Sequence, residues 1–506
     1  MTYRTERRRA LLPAAALLAF TQTLGPASVL PARAANIQAE RSAGFDVTIT
    51  DNVDLEPNDR ADAALILSPF AGVNVRGEGG RADFIFDYRL TLDTILSKNS
   101  DVNVRNDFIG FGTAELVEDM LFVDVTGSAS QPLIDPGGRT STTASVGRGS
   151  RTQVVGGSIS PYLLNRFGNV AESELRYRYS YTFVGRNEVG DSTTSEVRAR
   201  LSTGPVFSRV ALDAIAEYEN TDSESRTGDI ERSTFRLNGQ YAAFRQFFLL
   251  GSAGYETIET NSLNDDPDGP IWYVGFLTRP GPRTELRVTY GERYGEPDYN
   301  GSLTYRITPR LTFQASYVHV LETTQRQFSS FQLAVDPSGQ LIDPVTNLPV
   351  DITDVGPGFG LRTEAFIASR FQTSLVGNYD RNTVTLAGTS EEREYDIRPD
   401  ERYLSARLGW TRRLSPQTNL ITGVGWRRTE NDAATAGTAG GAAPAAGILG
   451  PAAPESDTFS ARIALTHSLA KDVLGSVALG RTQRVADDEA DEYTENSLTF
   501  GVRIVF

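Results

Sequence analysis

Arginine carries most of the chemistry this sequence offers. Arg89, Arg176, Arg178, Arg198, Arg200, Arg232, Arg236, Arg287, Arg306, Arg407, Arg462 and Arg503 each fall on the polar parity of an alternating run. Asp83, Asp87, Asp124, Glu174, Glu196 and Glu285 share that parity. Guanidinium groups present paired N–H donors to carboxylates and other anions. Such a set can tie neighbouring strands together as cross-strand ion pairs, or line a wet passage whose charges select anionic or hydroxyl-rich solutes. Both roles are open for each residue.

Other chemistries find less support. Hydrolysis asks for a base beside a nucleophile or acid, and the chain has two histidines, His319 and His467. Each continues the apolar parity of its run, the place of an amphipathic interface residue. His467 and Ser468 are adjacent, so in a strand they point to opposite faces. Carboxylates are plentiful enough for a glycosidase-type pair, but no spacing singles one out. With no cysteine and two histidines, a thiolate nucleophile, a disulfide framework and a Cys- or His-rich metal centre are excluded. The acidic clusters at 51–62 and 487–492 offer hard oxygen ligands, yet neither has the D-x-[DN]-x-[DN]-G spacing of a calcium loop. They read as solvated loops. The "GEGG" at 77–80 precedes an alternating run and reads as a hairpin turn, not a phosphate cradle. No catalytic, cofactor or metal residue is expected, and the chain is not expected to be an enzyme.

These residues are positioned by one recurring element. In "AESELRYRYSYTFVG" (171–185), Leu175, Tyr177, Tyr179, Tyr181 and Phe183 oppose Glu174, Arg176, Arg178, Ser180 and Thr182. A period of two with one greasy face is a β-strand. The same unit recurs from about residue 39 to the closing "ENSLTFGVRIVF", separated by turns and loops. Short links (for example 77–81, 245–246 and 308–310) tend to alternate with longer, polar or acidic ones (for example 131–151, 324–360 and 431–457). That is the asymmetry of an outer-membrane barrel, with short periplasmic turns and long outer loops. Counting runs predicts an all-β transmembrane antiparallel barrel of about 22 strands, between about 20 and 24. The stretch 361–382 is the least regular, and its "LRTEAFIASRF" also suits a short helix. The Ala-, Gly- and Pro-rich segment 433–454 reads as a loop without packed structure.

The N-terminus has the form of an export signal. Four arginines (Arg4, Arg7, Arg8, Arg9) precede a short apolar run at 10–20, and Ala32-Arg33-Ala34 supplies a cleavage site. Residues 1–34 are therefore expected to be a signal peptide and 35–506 a single barrel domain in the bacterial outer membrane, reached through the periplasm. The balance of 64 Asp plus Glu against 49 Lys plus Arg, a net charge of -15, argues against nucleic acid as a partner. Outer-membrane lipid and the barrel assembly machinery are the expected partners. Ending on Phe506 fits the terminal aromatic signal read by that machinery.

Several stretches carry a family resemblance. "TDNVDLEPN" (50–58), "LSPFAGVNVRGEGGRADFIFDYRL" (67–90), "AELVEDMLFVDVTGSASQ" (114–131), "SPYLLNRFGNVAESELRYRYSY" (160–181) and "SLTYRITPRLTFQASY" (302–317) resemble the PEP-CTERM system-associated outer-membrane proteins. That family is similar to the β-barrel porins encoded with exopolysaccharide production and export genes. The resemblance implies a porin-like or scaffold component near polysaccharide export, with other export components as partners, and supplies no catalytic residues. Two alternatives stand beside it: a structural or partner-binding barrel plugged by loops such as 324–360, and a lumenal hydrolase acting on polysaccharide or lipid.

Overall fold

A computed structural model describes residues 36–98, 100–134, 137–185, 190–224, 228–263, 267–329, 334–335, 341–342, 361, 364–396, 399–431 and 455–506. The expected signal peptide, the segment 433–454 and most of 324–360 lie outside the described residues.

Twenty-two strands form one antiparallel sheet closed on itself. They are β1 (Asn36–Thr50), β2 (Ala64–Glu78), β3 (Ala82–Leu96), β4 (Asp101–Val117), β5 (Leu121–Ser130), β6 (Val154–Phe167), β7 (Ala171–Val184), β8 (Ser192–Thr203), β9 (Val210–Ser223), β10 (Ile230–Phe244), β11 (Phe247–Thr260), β12 (Gly269–Gly281), β13 (Thr284–Arg293), β14 (Glu296–Thr308) and β15 (Leu311–Glu322). After the loop pair β16 (Ala334–Val335) and β17 (Leu341–Ile342), the barrel resumes with β18 (Phe366–Tyr379), β19 (Asn382–Glu394), β20 (Glu401–Ser415), β21 (Thr418–Asn431), β22 (Ser456–Ala470), β23 (Val473–Ala486) and β24 (Tyr493–Val505). Strand β1 closes the ring against β24, from Ser42 opposite Val505 to Thr50 opposite Ser497. Phe506 finishes the seam: its N–H donates to the Arg41 carbonyl at 2.9 Å and its carbonyl accepts from the Arg41 N–H at 3.1 Å. Closure leaves no strand edge, which is what lets a sheet cross hydrocarbon with its backbone satisfied.

The exterior is apolar and accessible. On β7 the outward Leu175, Tyr177, Tyr179 and Tyr181 are all exposed, while Glu174, Arg176 and Arg178 turn inward. Slipping this strand by one residue would put both arginines into lipid, at about 2–4 kcal/mol each near the midplane. The pattern therefore fixes the register. A tilted strand needs about 9–11 residues to cross a bilayer, and these strands run from 10 to 17. The closed barrel with its apolar belt is a protein of the bacterial outer membrane.

Turns of two to six residues join the strands at one end, where Asn36 and Phe506 also lie. By the usual asymmetry this end faces the periplasm. The turn at Asp380 and Arg381 has no sequence counterpart above; Asp380 takes a left-handed φ of 26° there. Of the stretch read as suiting a helix, 361–371, residues Phe366 to Phe371 are instead the start of β18, in which Phe366, Ala368 and Arg370 alternate with Ile367, Ser369 and Phe371 between β15 and β19. The helix lies earlier, as the single-turn α1 (Thr324–Ser329).

One outer hairpin is also tight. Tyr294 and Gly295, with φ of 60° and 76°, join β13 to β14 in the left-handed pair that two-residue hairpins favour. Above the pair Gly301–Tyr317, β15 leaves β14 and leans inward, so that Leu321 joins a buried cluster with Ile230 of β10 and Ile258 of β11. This overturns the reading of His319 as an interface residue: it is buried, its ring 5.9 Å from that of Tyr294. His467 does sit exposed at the periplasmic rim, its Nδ1 2.9 Å from the Thr418 hydroxyl.

Candidate functional site

Because side chains alternate, the inner wall collects the polar half of every strand. Arg176 is its most heavily engaged residue on β7. It donates to Asp124 at 2.6 Å, Glu174 at 2.8 Å and Ser160 at 3.2 Å. Its guanidinium also lies 3.8 Å from the Tyr162 ring centre, and Tyr162 stacks on Phe122 at 5.2 Å. The ladder continues round the wall: Arg178 to Glu196 at 3.6 Å, Arg198 to Glu196 at 3.3 Å and Glu217 at 2.7 Å, Arg200 to Asp213 at 2.7 Å.

The remaining sequence-selected arginines also face inward but do not form one cluster. Arg89 lies over Phe70 at 5.1 Å, and Arg232 pairs with Glu256 at 3.7 Å while donating to the Leu321 carbonyl at 3.1 Å. Arg236 stands opposite Gly254, Arg407 stands opposite Ala387 and Gly425, Arg462 donates to the Thr142 carbonyl at 3.0 Å, and Arg503 pairs with Glu40 at 3.5 Å. Arg287 and Arg306 are exposed to the lumen, with no carboxylate within 4.0 Å among the described residues. Of the carboxylates, Glu285 pairs with Arg279 at 2.8 Å, Asp87 accepts from Asn74 at 3.0 Å, and Asp83 accepts from the Gly79 N–H at 3.1 Å.

Burial along the lumen is one-sided. On β8 the Glu196 side chain is 7% exposed and Arg200, two turns of the pleat closer to the periplasm, 49%. On β9 Glu219 is 0% exposed and Asp213 25%. The same gradient runs along β1 and β24. The lumen is wet at the periplasmic end and occluded at the loop end.

Two inward-folded segments cause the occlusion. The loop between β5 and β6 crosses to β22, β23 and β24. There the Thr140 N–H donates to the Tyr493 hydroxyl at 2.8 Å, the Ser141 hydroxyl donates to Glu495 at 3.0 Å, the Thr142 N–H donates to Thr482 at 3.3 Å, and the Thr143 hydroxyl lies 3.1 Å from that of Ser497. Arg484 donates to the Gly137 carbonyl. Arg139, on the same loop, bridges the two acidic clusters, reaching Glu56 at 3.2 Å and Asp491 at 3.4 Å. Those clusters are thus neutralised in part by a shared cation instead of being solvated throughout.

The second segment is α1, which crosses from β15 to β6, β7 and β9. Arg326 pairs with the buried Glu219 at 2.8 Å; burial pulls its pKa down, but Glu219 and the neighbouring Glu322, Glu217 and Glu196 more than offset this and raise it. Thr182 donates to the Gln325 carbonyl at 3.3 Å. Phe328 packs with Val154, Val184 and Leu361, and the Leu361 N–H donates to the Ile134 carbonyl at 3.1 Å, joining the two segments. Below Phe328 a cavity of about 240 Å³ opens along β4 to β7, lined by Phe111, Thr113, Thr126, Ser158, Ser160 and Asp124 among others.

Sequence reasoning missed the buried half of the charge network. Arg393 lies between the rings of Phe366 and Tyr403, 4.5 and 5.1 Å from their centres, and pairs with Glu391 at 2.6 Å; Glu391 also binds Arg370 at 2.6 Å. Arg293 pairs with Glu256 at 2.7 Å. Arg293 shares the parity of Arg287 and was findable on that ground. Arg370 was hidden by the helical reading of its segment.

No family model matches the sequence, and no curated protein does. Among solved structures, the chain is similar to the siderophore receptor PirA from Acinetobacter baumannii (9% identity, 93% of this chain and 80% of that one, TM-score 0.47). It is similar in the same degree to the FrpB iron transporter from Neisseria meningitidis, F5-1 variant (9%, 94% and 83%, 0.46). A third is the ferric-catecholate import receptor Fiu from K12 E. coli (8%, 92% and 82%, 0.48). At that distance it is the chain's own geometry that identifies a 22-stranded outer-membrane β-barrel.

Proposed function

We propose that this barrel is a gated outer-membrane conduit or docking scaffold, open to the periplasm and shut at its outer mouth by its own loops, and that it serves exopolysaccharide export. The observation that carries the gate is the pinning of the β5–β6 loop across the lumen onto β22, β23 and β24. A standing open porin would not bury Glu196 and Glu219 beneath inward-folded segments. The export role rests on the family resemblance of the blocks between residues 50 and 317. The inner wall is compatible with it, since guanidinium and hydroxyl groups suit hydroxylated or anionic solutes. The chemistry is passive: the only carboxylate lining the cavity below Phe328, among the described residues, is Asp124, already bound by Arg176 and Thr113.

Single-channel recording in planar bilayers tests the gate. The mature protein is expected to be mostly closed, and a variant lacking residues 139–147 to conduct steadily while keeping the heat-modifiable gel migration of a folded barrel. Steady conductance in the intact protein would overturn the gate; silence in a folded deletion variant would favour a scaffold without a conduit. Loss of secreted polysaccharide on deletion of the gene, restored by the intact chain, tests the export role separately.

A further inference from the structure

We propose that the periplasmic rim is a docking face for the acidic surface of a second protein, seated on one side of the mouth. From β8 onward the turns carry Arg209, Arg245, Arg283, Arg310, Arg381 and Lys471, all exposed. The carboxylates of this arc are few: Asp213 pairs with Arg200 at 2.7 Å, Glu285 with Arg279 at 2.8 Å and Asp380 with Arg310 at 3.3 Å, and Asp472 stands exposed beside Lys471. Arg209, Arg245, Arg283 and Arg381 have no carboxylate within 4.0 Å among the described residues.

The other arc has the opposite character. Around β2 to β7 the rim carries Glu78, Glu118, Asp119 and Glu172, with Arg81 and Arg166 drawn into pairs with Glu118 and Glu172, each at 3.2 Å. In a chain of net charge -15, a one-sided basic arc is a local departure that calls for a local cause. Lipid headgroups surround the whole circumference, so an anchor to anionic lipid would spread its cations all round. A partner seated off-centre, with an acidic patch above the basic arc, accounts for the asymmetry. The bipolar rim would also fix its rotation about the barrel axis, as complementary potentials fix register.

Successive hairpins stand two strands apart, about 10 Å. That is close to the screening length of about 8 Å at physiological salt, so the arc acts as one extended patch that salt weakens. The vestibule opens at the same end, and a partner there would stand over it. This inference rests on the short turns facing the periplasm and not on whether the gate opens.

The test uses the full mature chain in phosphatidylcholine nanodiscs, with fluorescent poly-L-glutamate as the acidic probe read by anisotropy. Binding is expected to fall as salt rises, and to weaken about tenfold or more in the triple variant R245E/R283E/R381E, while R60E/K98E at the opposite end leaves it unchanged. Equal binding by the native protein and the rim variant, both folded by heat-modifiable migration, would overturn the proposal. So would displacement of the probe by phosphatidylglycerol in the disc, with native mass spectrometry showing that the rim variant loses retained phosphatidylglycerol. That outcome would assign the arc to lipid.

Discussion

The hydroxyls of Thr143 and Ser497 lie 3.1 Å apart although 354 positions separate them in sequence. One belongs to the loop that crosses the lumen, the other to the last strand, so the pair is a natural place to lock the gate. The chain has no cysteine, and Thr143→Cys with Ser497→Cys introduces a single possible disulfide. Oxidised channels should stay shut under voltage, and dithiothreitol should restore whatever openings the parent shows. Indistinguishable traces in the two states would remove this loop from the gating element.

Arg393 is fully buried, with its Nε on Glu391 and aromatic faces above and below its guanidinium. Arg393→Met keeps the bulk but leaves Glu391 to Arg370 alone. Breaking a buried pair costs about 3–5 kcal/mol, and the surviving Arg370 contact places this variant near the lower figure. Urea unfolding of the detergent-solubilised barrel should show it; an unchanged midpoint would mean that Arg370 satisfies Glu391 by itself.

Arg287 and Arg306 face the wet lumen without carboxylate partners among the described residues, whereas Arg178 and Arg198 share Glu196. Free charges set selectivity more than paired ones. In the loop-deleted channel, Arg287→Gln with Arg306→Gln should move the reversal potential toward cations in a salt gradient, and Arg198→Gln should move it less. The reverse order would relocate the selective ring to the ladder.

Gly44 faces the Phe70 ring of β2 and, across the seam, the Val502 carbonyl of β24, and a Cβ there would run into both. Gly44→Ala should therefore loosen the junction of β1 and β24. A cost of about 1–3 kcal/mol is expected for overpacking, read as a lower temperature of heat-modifiable collapse. The same change at Gly251, where a Cβ would meet open space, serves as the control.

Deleting Phe506 removes two backbone hydrogen bonds to Arg41 and an exposed terminal ring. If the ring is read during assembly, Phe506→Ala, which keeps both bonds, should lower the folded fraction in outer membranes nearly as much as the deletion. Normal assembly of Phe506→Ala would confine the residue's role to the seam.

The wall was legible in the sequence because lipid outside and water inside impose opposite chemistry on successive residues. Leu175 to Phe183 against Glu174 to Thr182 shows the rule in one strand, and it repeats often enough to count strands. The gate was not legible. Thr140 to Thr143 are small polar residues in a loop, and nothing local distinguishes a loop that hangs in solvent from one that binds Tyr493, Glu495 and Ser497. His319 misled for a related reason: its parity was read correctly, but beyond Tyr317 β15 parts from β14, still paired with β18, and leans inward, so that the face carrying His319 and Leu321 meets protein. Parity reports the face of a strand and is silent on whether that strand still borders lipid.

The crossing loop ties closure of the mouth to the order in which the chain is made. Residues 139–143 emerge early, but their partners on β22, β23 and β24 come last. Contacts so distant in sequence form late, so the mouth cannot be sealed until the C-terminal strands are in the membrane beside β1. A barrel truncated before β22 would keep the contacts of its β5–β6 loop to Glu56 and Leu361 but lose every hold of that loop on β22, β23 and β24. Sealing is in this sense a report that the barrel is whole, and an unfinished molecule declares itself as a leak.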